Sequence, residues 1–297
     1  MGPGATRLGQ ERRLCDAEPV AGPFRLRLYV EPESQKRRVE LAAPIFEADF
    51  QNGLARAAAN TCLEILGEKE TLTGLEALAT KIEDALSRYL GSILAPAQGN
   101  IACAEGCDHC CHQIVGATLP EVLVIYGKIR ELPAEQRRER ISRVQQSRAR
   151  AEGLSPAQRY SEEHPCPLLQ EGRCSVYSFR PLSCRGVHSL NAEACSSTLR
   201  DPARRRRFQE QGEGIPCYRE PGLTVHAMSA GLQLGVSEVY GLDMSPVDLT
   251  LALAWLLSNP SAVSEWLSGH PLPARLRAGH HSADPKRAHV TGERSPK

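Results

Sequence analysis

Cysteine is the residue type here with the most chemistry to offer. The 297-residue chain carries eleven, and nine of them fall between Cys103 and Cys217. A first block runs Cys103, Cys107, Cys110, Cys111, with His109 and His112 set among them. A second holds Cys166, Cys174 and Cys184, with Pro167, Tyr177, Arg180, Pro181 and Arg185 between and after them. A soft or borderline cation such as zinc or iron is held by several converging thiolates, and thiols two or three residues apart on a turn can converge. Cys107 and Cys110 have the spacing of a two-ligand turn, and Cys103 adds a third thiol from the same short segment. The remaining ligands are expected from the second block, so that ligation closes the long loop between them. The first-choice ligands are Cys103, Cys107, Cys110, Cys166, Cys174 and Cys184, with Cys111 next. Adjacent cysteines tend to point apart. Either one of Cys110 and Cys111 therefore lies outside the ligand set, or there are two metal sites.

Thiolates gathered around one divalent ion keep a net negative charge. Arg180 and Arg185, fixed on either side of Pro181 and Cys184, are the groups expected to compensate it. His109, His112 and His188 are also potential ligands, although a histidine beside a cysteine is more often a hydrogen-bond partner than a ligand. Disulfides are the competing reading. They suit an oxidising compartment, but residues 1–30 show no apolar leader, and the odd cysteine count pairs poorly. The sequence predicts a soluble, cytoplasmic protein whose clustered thiols bind metal.

These two blocks, in this order, resemble the zinc- or iron-chelating domain known as the YkgJ family of cysteine-cluster proteins. The family pattern is matched by Cys103, Cys107, Cys110 and Cys111, then by Cys166, Pro167, Leu169, Cys174, Tyr177, Arg180, Pro181, Cys184 and Arg185. The resemblance covers about 90 residues. It implies a metal cofactor on those cysteines, zinc or an iron–sulfur cluster, and says little about activity. A flagellin lysine methylase is similar in its cysteine pattern, so an iron–sulfur-dependent enzyme, methylase-like or redox, is the alternative to a metal-binding module. Cys195 and Cys217 lie outside the core pattern.

Other classes find little support. The spacing of Cys103, Cys107 and Cys110 is also that of radical S-adenosylmethionine enzymes, but their alternation of strands and helices is absent from the pattern of this chain. Lys+Arg is 36 against 35 Asp+Glu, which argues against a polyanionic partner. The run Arg204-Arg205-Arg206-Arg207 reads as a solvated helix face rather than a nucleic-acid contact, because acidic residues flank it. No Walker loop, dinucleotide fingerprint or Gly-x-Ser-x-Gly elbow occurs. The longest apolar run, Leu249 to Leu257, is too short to span a membrane and reads as a buried helix. No membrane is expected as a partner, and the sequence names no other.

The elements that must position the cysteines are helical. The expected class is mostly α, with helical segments around an irregular, metal-stapled, cysteine-rich centre. Residues 1–44 form an irregular segment in which Phe24 to Val30 alternates as a short strand would. Pro44 suits the first turn of a helix, and residues 45–98 form a helical region. Its second helix carries Leu75, Leu78, Ile82, Leu86 and Leu90 on one face. Residues 99–220 are the metal-binding domain. Within it, Thr118 caps a helix with Pro120 in its first turn and Glu121 closing a capping box, and a charged surface helix runs from Ala134 to about Glu152. The stretch Cys166–Cys217 is too irregular to build its own core and needs staples. Residues 221–268 supply closing helices, and 269–297 form a polar tail expected to be disordered.

Overall fold

The computed structural model describes residues 25–29, 38–42, 49–66, 72–104, 106–155, 158–159, 162–211 and 214–277. In chain order the elements begin with strands β1 (Arg25–Tyr29) and β2 (Arg38–Ala42), paired antiparallel with Arg27 opposite Glu40. Helices α1 (Asp49–Leu66) and α2 (Leu72–Leu94) follow. A two-residue strand β3 (Gly116–Ala117) precedes α3 (Leu119–Glu131) and α4 (Ala134–Ala151). The strands β4 (Leu169–Gln170) and β5 (Arg173–Cys174) form a tight hairpin. Then come the short helix α5 (Leu182–Arg185), α6 (Ala192–Arg200) and α7 (Pro202–Gln211). The fold closes with α8 (Arg219–Tyr240), β6 (Val247–Asp248), α9 (Leu249–Ser258) and α10 (Ala262–Leu267). It is mostly α, as the periodicity predicts, and its strands are short and antiparallel.

The main core is aliphatic. Leu75, Leu78, Ile82, Leu86 and Leu90 are buried along the predicted face of α2. They join Leu119, Val122, Leu123 and Ile125 of α3, and Leu249, Leu253 and Leu256 of α9. Two devices set the helix spacings. Gly231 and Gly235 of α8 lie directly against α1, where a Cβ on Gly231 would sit 2.2 Å from the Ala55 carbonyl oxygen and one on Gly235 would sit 2.3 Å from Cys62 Cβ. Hydrogen at those positions is what lets α1 and α8 approach so closely. The second device is Glu121. Its buried carboxylate accepts from the Thr118 N–H and hydroxyl, each at 2.7 Å, in the predicted capping box. Its other oxygen accepts from the Leu182 N–H at 2.6 Å. That last contact ties the start of α5 to the start of α3.

Several expectations move. Pro44 lies outside the described residues; ahead of it, where an irregular segment is expected, the chain forms β2 as far as Ala42, and α1 is described from Asp49. Val39 and Leu41 alternate with polar neighbours, and that two-residue period suits a strand better than a helix entry. The charged helix α4 is less superficial than its composition suggests, since Val144 and Ala151 are buried. The tail is ordered further than expected: Leu272 and Leu276 are buried, and Arg277 pairs with Asp243. Residues 278–297 lie outside the described residues. The arginine run sits on α7, where Arg205 is buried and its Nε donates to the Leu199 carbonyl at 2.6 Å. The run is therefore not one uniform solvated face. No described helix is long and apolar enough to cross a membrane.

Candidate metal centre

The first block is a loop with a turn of 3₁₀ helix at His109–His112. The second is built around the β4–β5 hairpin, whose turn residues Glu171 (φ 50°) and Gly172 (φ 74°) both adopt the left-handed conformation that a two-residue hairpin turn requires. This turn sets Cys174 opposite Leu169. Leu168, Val176 and Leu182 anchor the segment in the main core. Pro181 stops the chain ahead of α5, which carries Cys184 and Arg185.

The two blocks lie side by side. The Cys166 N–H donates to the Cys111 carbonyl at 2.7 Å, and the Ala102 N–H donates to the Ser189 carbonyl at 2.8 Å. The Cys103 sulfur accepts from the Ser189 N–H at 3.2 Å. Cys103, Cys107, Cys110, Cys111, Cys166, Cys174 and Cys184 form no disulfides, so the disulfide reading has no pair among the cysteines of the two blocks. Cys103, Cys107 and Cys110 are exposed, while Cys111, Cys166, Cys174 and Cys184 are half-buried.

The thiols lie within electrostatic reach of one another. Burial pushes the Cys166 thiol up to about 12, and the neighbouring Cys184 and Cys174 add to the rise. Burial likewise takes Cys184 to about 12, with Cys110 and Cys174 adding to it. Cys110 is raised mainly by its hydrogen bond with Cys111, then by burial. Cys103 is raised by burial first, and Cys107 and Cys110 contribute. Arg180 works against the rise at Cys103, Cys110 and Cys184. Its guanidinium stacks 4.3 Å from the Tyr177 ring, and its buried Nε makes no hydrogen bond. Arg180 is thus within electrostatic reach of three of the thiols.

Arg185 is within electrostatic reach of Cys184, and its hydrogen bonds go to other groups. It pairs with Glu83 of α2 and donates to the carbonyls of Ser178 (2.8 Å) and Arg180 (3.1 Å). Burial lowers its pKa and raises that of Glu83, while the pairing opposes both shifts. It locks α5 to α2 and so holds Cys184 from behind. Two residues had no distinguishing signal in the sequence. Arg140 of α4 feels the charges of Cys174 and Cys166 and bonds to Ser175 and, at 2.9 Å, to Gln170. Its neighbours in sequence are ordinary helix-surface residues. Cys195, outside the motif, is buried on α6 within electrostatic reach of Cys103, Cys107 and Cys110.

The histidines remain at the margin. His112 lies with Nε2 3.6 Å from Asp108 and Nδ1 2.8 Å from Glu163, the latter without hydrogen-bond geometry. His188 is held in its neutral form by burial, and its Nδ1 has no partner.

No three His, Cys, Asp or Glu among the described residues stand in an arrangement ready to hold one ion. The donor set nevertheless suits zinc or iron: free thiols from both blocks are adjacent, and an arginine faces them.

Residues 102–201, about a third of the chain, match the CxxCxxCC family model, described as "Putative zinc- or iron-chelating domain". No curated protein and no solved structure matches the chain. The match makes this region similar to that domain, within a mostly α protein. It spans both cysteine blocks, and it also takes in Cys195.

Proposed function

We propose that this chain is a metal-binding protein that chelates zinc or iron with thiolates from Cys103, Cys107, Cys110, Cys166, Cys174 and Cys184, with Cys111 next to them, and that the cation staples the irregular centre to the helices. The observation that carries this is the contact of the two cysteine blocks through the Cys166 N–H and Cys111 carbonyl, with the seven cysteines of the two blocks in no disulfide. When bound, the metal supplies a multidentate crosslink whose binding energy adds directly to folding energy. The protein's own groups do the rest. Arg180 faces the thiols and offsets their charge as they lose protons. Arg185 and Glu121 hold α5, and with it Cys184, against α2 and α3. Arg140 lies within electrostatic reach of Cys166 and Cys174.

The test is elemental analysis and a visible spectrum of anaerobically purified protein, alongside Cys107→Ser. Zinc or iron in the parent, with lower metal content and lower soluble yield in the variant, is the expected result. Unchanged metal stoichiometry in Cys107→Ser would count against this ligand set. Iron with acid-labile sulfide would move the reading to the iron–sulfur enzyme alternative.

A further inference from the structure

Three stretches of chain that carry the thiols meet at the β3–β6 pair. The first block runs on into β3, where Gly116 stands opposite Asp248 of β6 and the Val115 carbonyl accepts from the Leu249 N–H at 2.9 Å. The Ser183 hydroxyl, on the helix that bears Cys184, donates to the Gly116 carbonyl at 2.7 Å. The third stretch is the approach to Cys166. Its Arg159 donates from Nη1 to the Asp248 carboxylate at 2.5 Å. The other oxygen of Asp248 accepts from the Leu251 N–H at 3.0 Å and so caps α9.

The ion pair is interior: the side chains of Arg159 and Asp248 are 9% and 3% exposed. A buried pair is a poor source of net stability, because both ions lose their water, yet removing one partner strands the other charge. Both ends of the pair are anchored. The Arg159 N–H donates to the Ser155 carbonyl at 2.9 Å, and Asp248 is held by the strand pairing and the cap. A closed circuit results. It runs from Cys111 along the chain to Gly116, across to Asp248, through the ion pair to Arg159, along the chain to Cys166, and back through the Cys166 N–H to the Cys111 carbonyl at 2.7 Å.

We infer that Arg159 and Asp248 are positioning residues of the metal centre, whose buried ion pair sets the entry to the second cysteine block against the exit of the first before any cation binds. Neither residue touches the cation. With the blocks already adjacent, the entropy of closing the long connection between them is lost on folding rather than on metal binding. This inference rests on the metal-chelating reading above and adds the device that prepares that site.

The test compares the full-length chain with Asp248→Asn, with the double variant Arg159→Met/Asp248→Asn, and with Gly235→Ala. Asparagine caps a helix about as well as aspartate, so α9 keeps its cap while the ion pair is lost. The double variant leaves no stranded charge. Gly235→Ala, at the α1–α8 contact, controls for lost stability alone. The first readout is amide hydrogen exchange of the metal-free protein, measured by mass spectrometry on the segment that contains Cys166. Protection there is expected in the parent, with its loss in both Asp248 variants but not in Gly235→Ala compared at matched stability. The second is zinc competition against a chelator, where both Asp248 variants should retain zinc roughly 10–100-fold less tightly. An unprotected segment in the metal-free parent overturns the inference whatever the variants do. Equal loss of protection in Gly235→Ala also overturns it. Parent-like zinc retention in the double variant sinks the positioning role alone, whereas a parent that takes up neither zinc nor iron sinks the chelation reading and this inference with it.

Discussion

At the scale of single residues, the site depends on side chains that never touch a metal. Glu121 presents only acceptors to three donors: the Thr118 N–H, the Thr118 hydroxyl and the Leu182 N–H. Glu121→Gln places an amide NH₂ against at least one of those donors. A buried group left unsatisfied costs about 1–3 kcal/mol. Urea denaturation should show a loss of that order, and an unchanged midpoint would mean that the carboxylate is replaceable. Because Leu182 opens the helix bearing Cys184, metal retention should weaken as well. The Thr118–Glu121 half of this arrangement was legible as a capping box four residues long. The Leu182 half was not, since a hydrogen bond between such distant residues leaves no local pattern. Arg180 and Arg185 show the same divide. Their spacing around Pro181 marked both as cations near sulfur, yet only packing against α2 decided that Arg185 would pair with Glu83.

At the scale of elements, the closest fit is between α1 and α8. Gly235 faces Cys62, whose thiol is buried and pushed up to about 12, and donates toward the Leu232 carbonyl at 3.9 Å. This cysteine is a packing residue, with a conventional small-side-chain role. Gly235→Ala would put a methyl group where no space exists, and overpacking of this kind typically costs ~1–3 kcal/mol. A lowered melting temperature is the expected outcome. An unshifted one would show that the helices slide apart freely. Helical periodicity identified α2, because burial on one face imposes a 3.6-residue repeat, while a capping box marked α3, a charged run after Pro133 marked α4 and an apolar run marked α9. It failed for β2, which is too short for its alternation to outweigh the following proline as a signal. It also undervalued 192–211, where two helices stand in a stretch that reads as irregular. Their stabilising contacts are to the first cysteine block and to a small separate core of Cys195, Leu199, Ile215 and Cys217.

At the scale of the whole molecule, thiol protonation links metal, pH and stability. Cys166 and Cys184 are held protonated up to about 12, whereas an unburied thiol ionises near 9.0. Above about pH 9 the unfolded metal-free chain has therefore lost protons that the folded one keeps, so folding stability falls as pH rises. Metal binding works in the opposite sense. It must displace those protons, so affinity rises with pH through the neutral range, and acid releases the ion. Denaturation of chelator-treated protein at pH 7 and pH 10 should show the loss in alkali. Proton release on adding zinc in weak buffer should accompany binding. Binding without proton release would imply ligands other than these thiols.

The sequence by itself determined the donor chemistry and the helical class. Residue types and short spacings are local properties, and a turn such as Cys107 to Cys110 brings its thiols together whatever the rest of the chain does. Tertiary structure alone decided that the two blocks meet, that Cys195 lies within electrostatic reach of the first, and that Arg185 pairs with Glu83. Those outcomes follow from the burial of aliphatic faces on α2, α3, α8 and α9, which fixes distances between segments that share no local pattern.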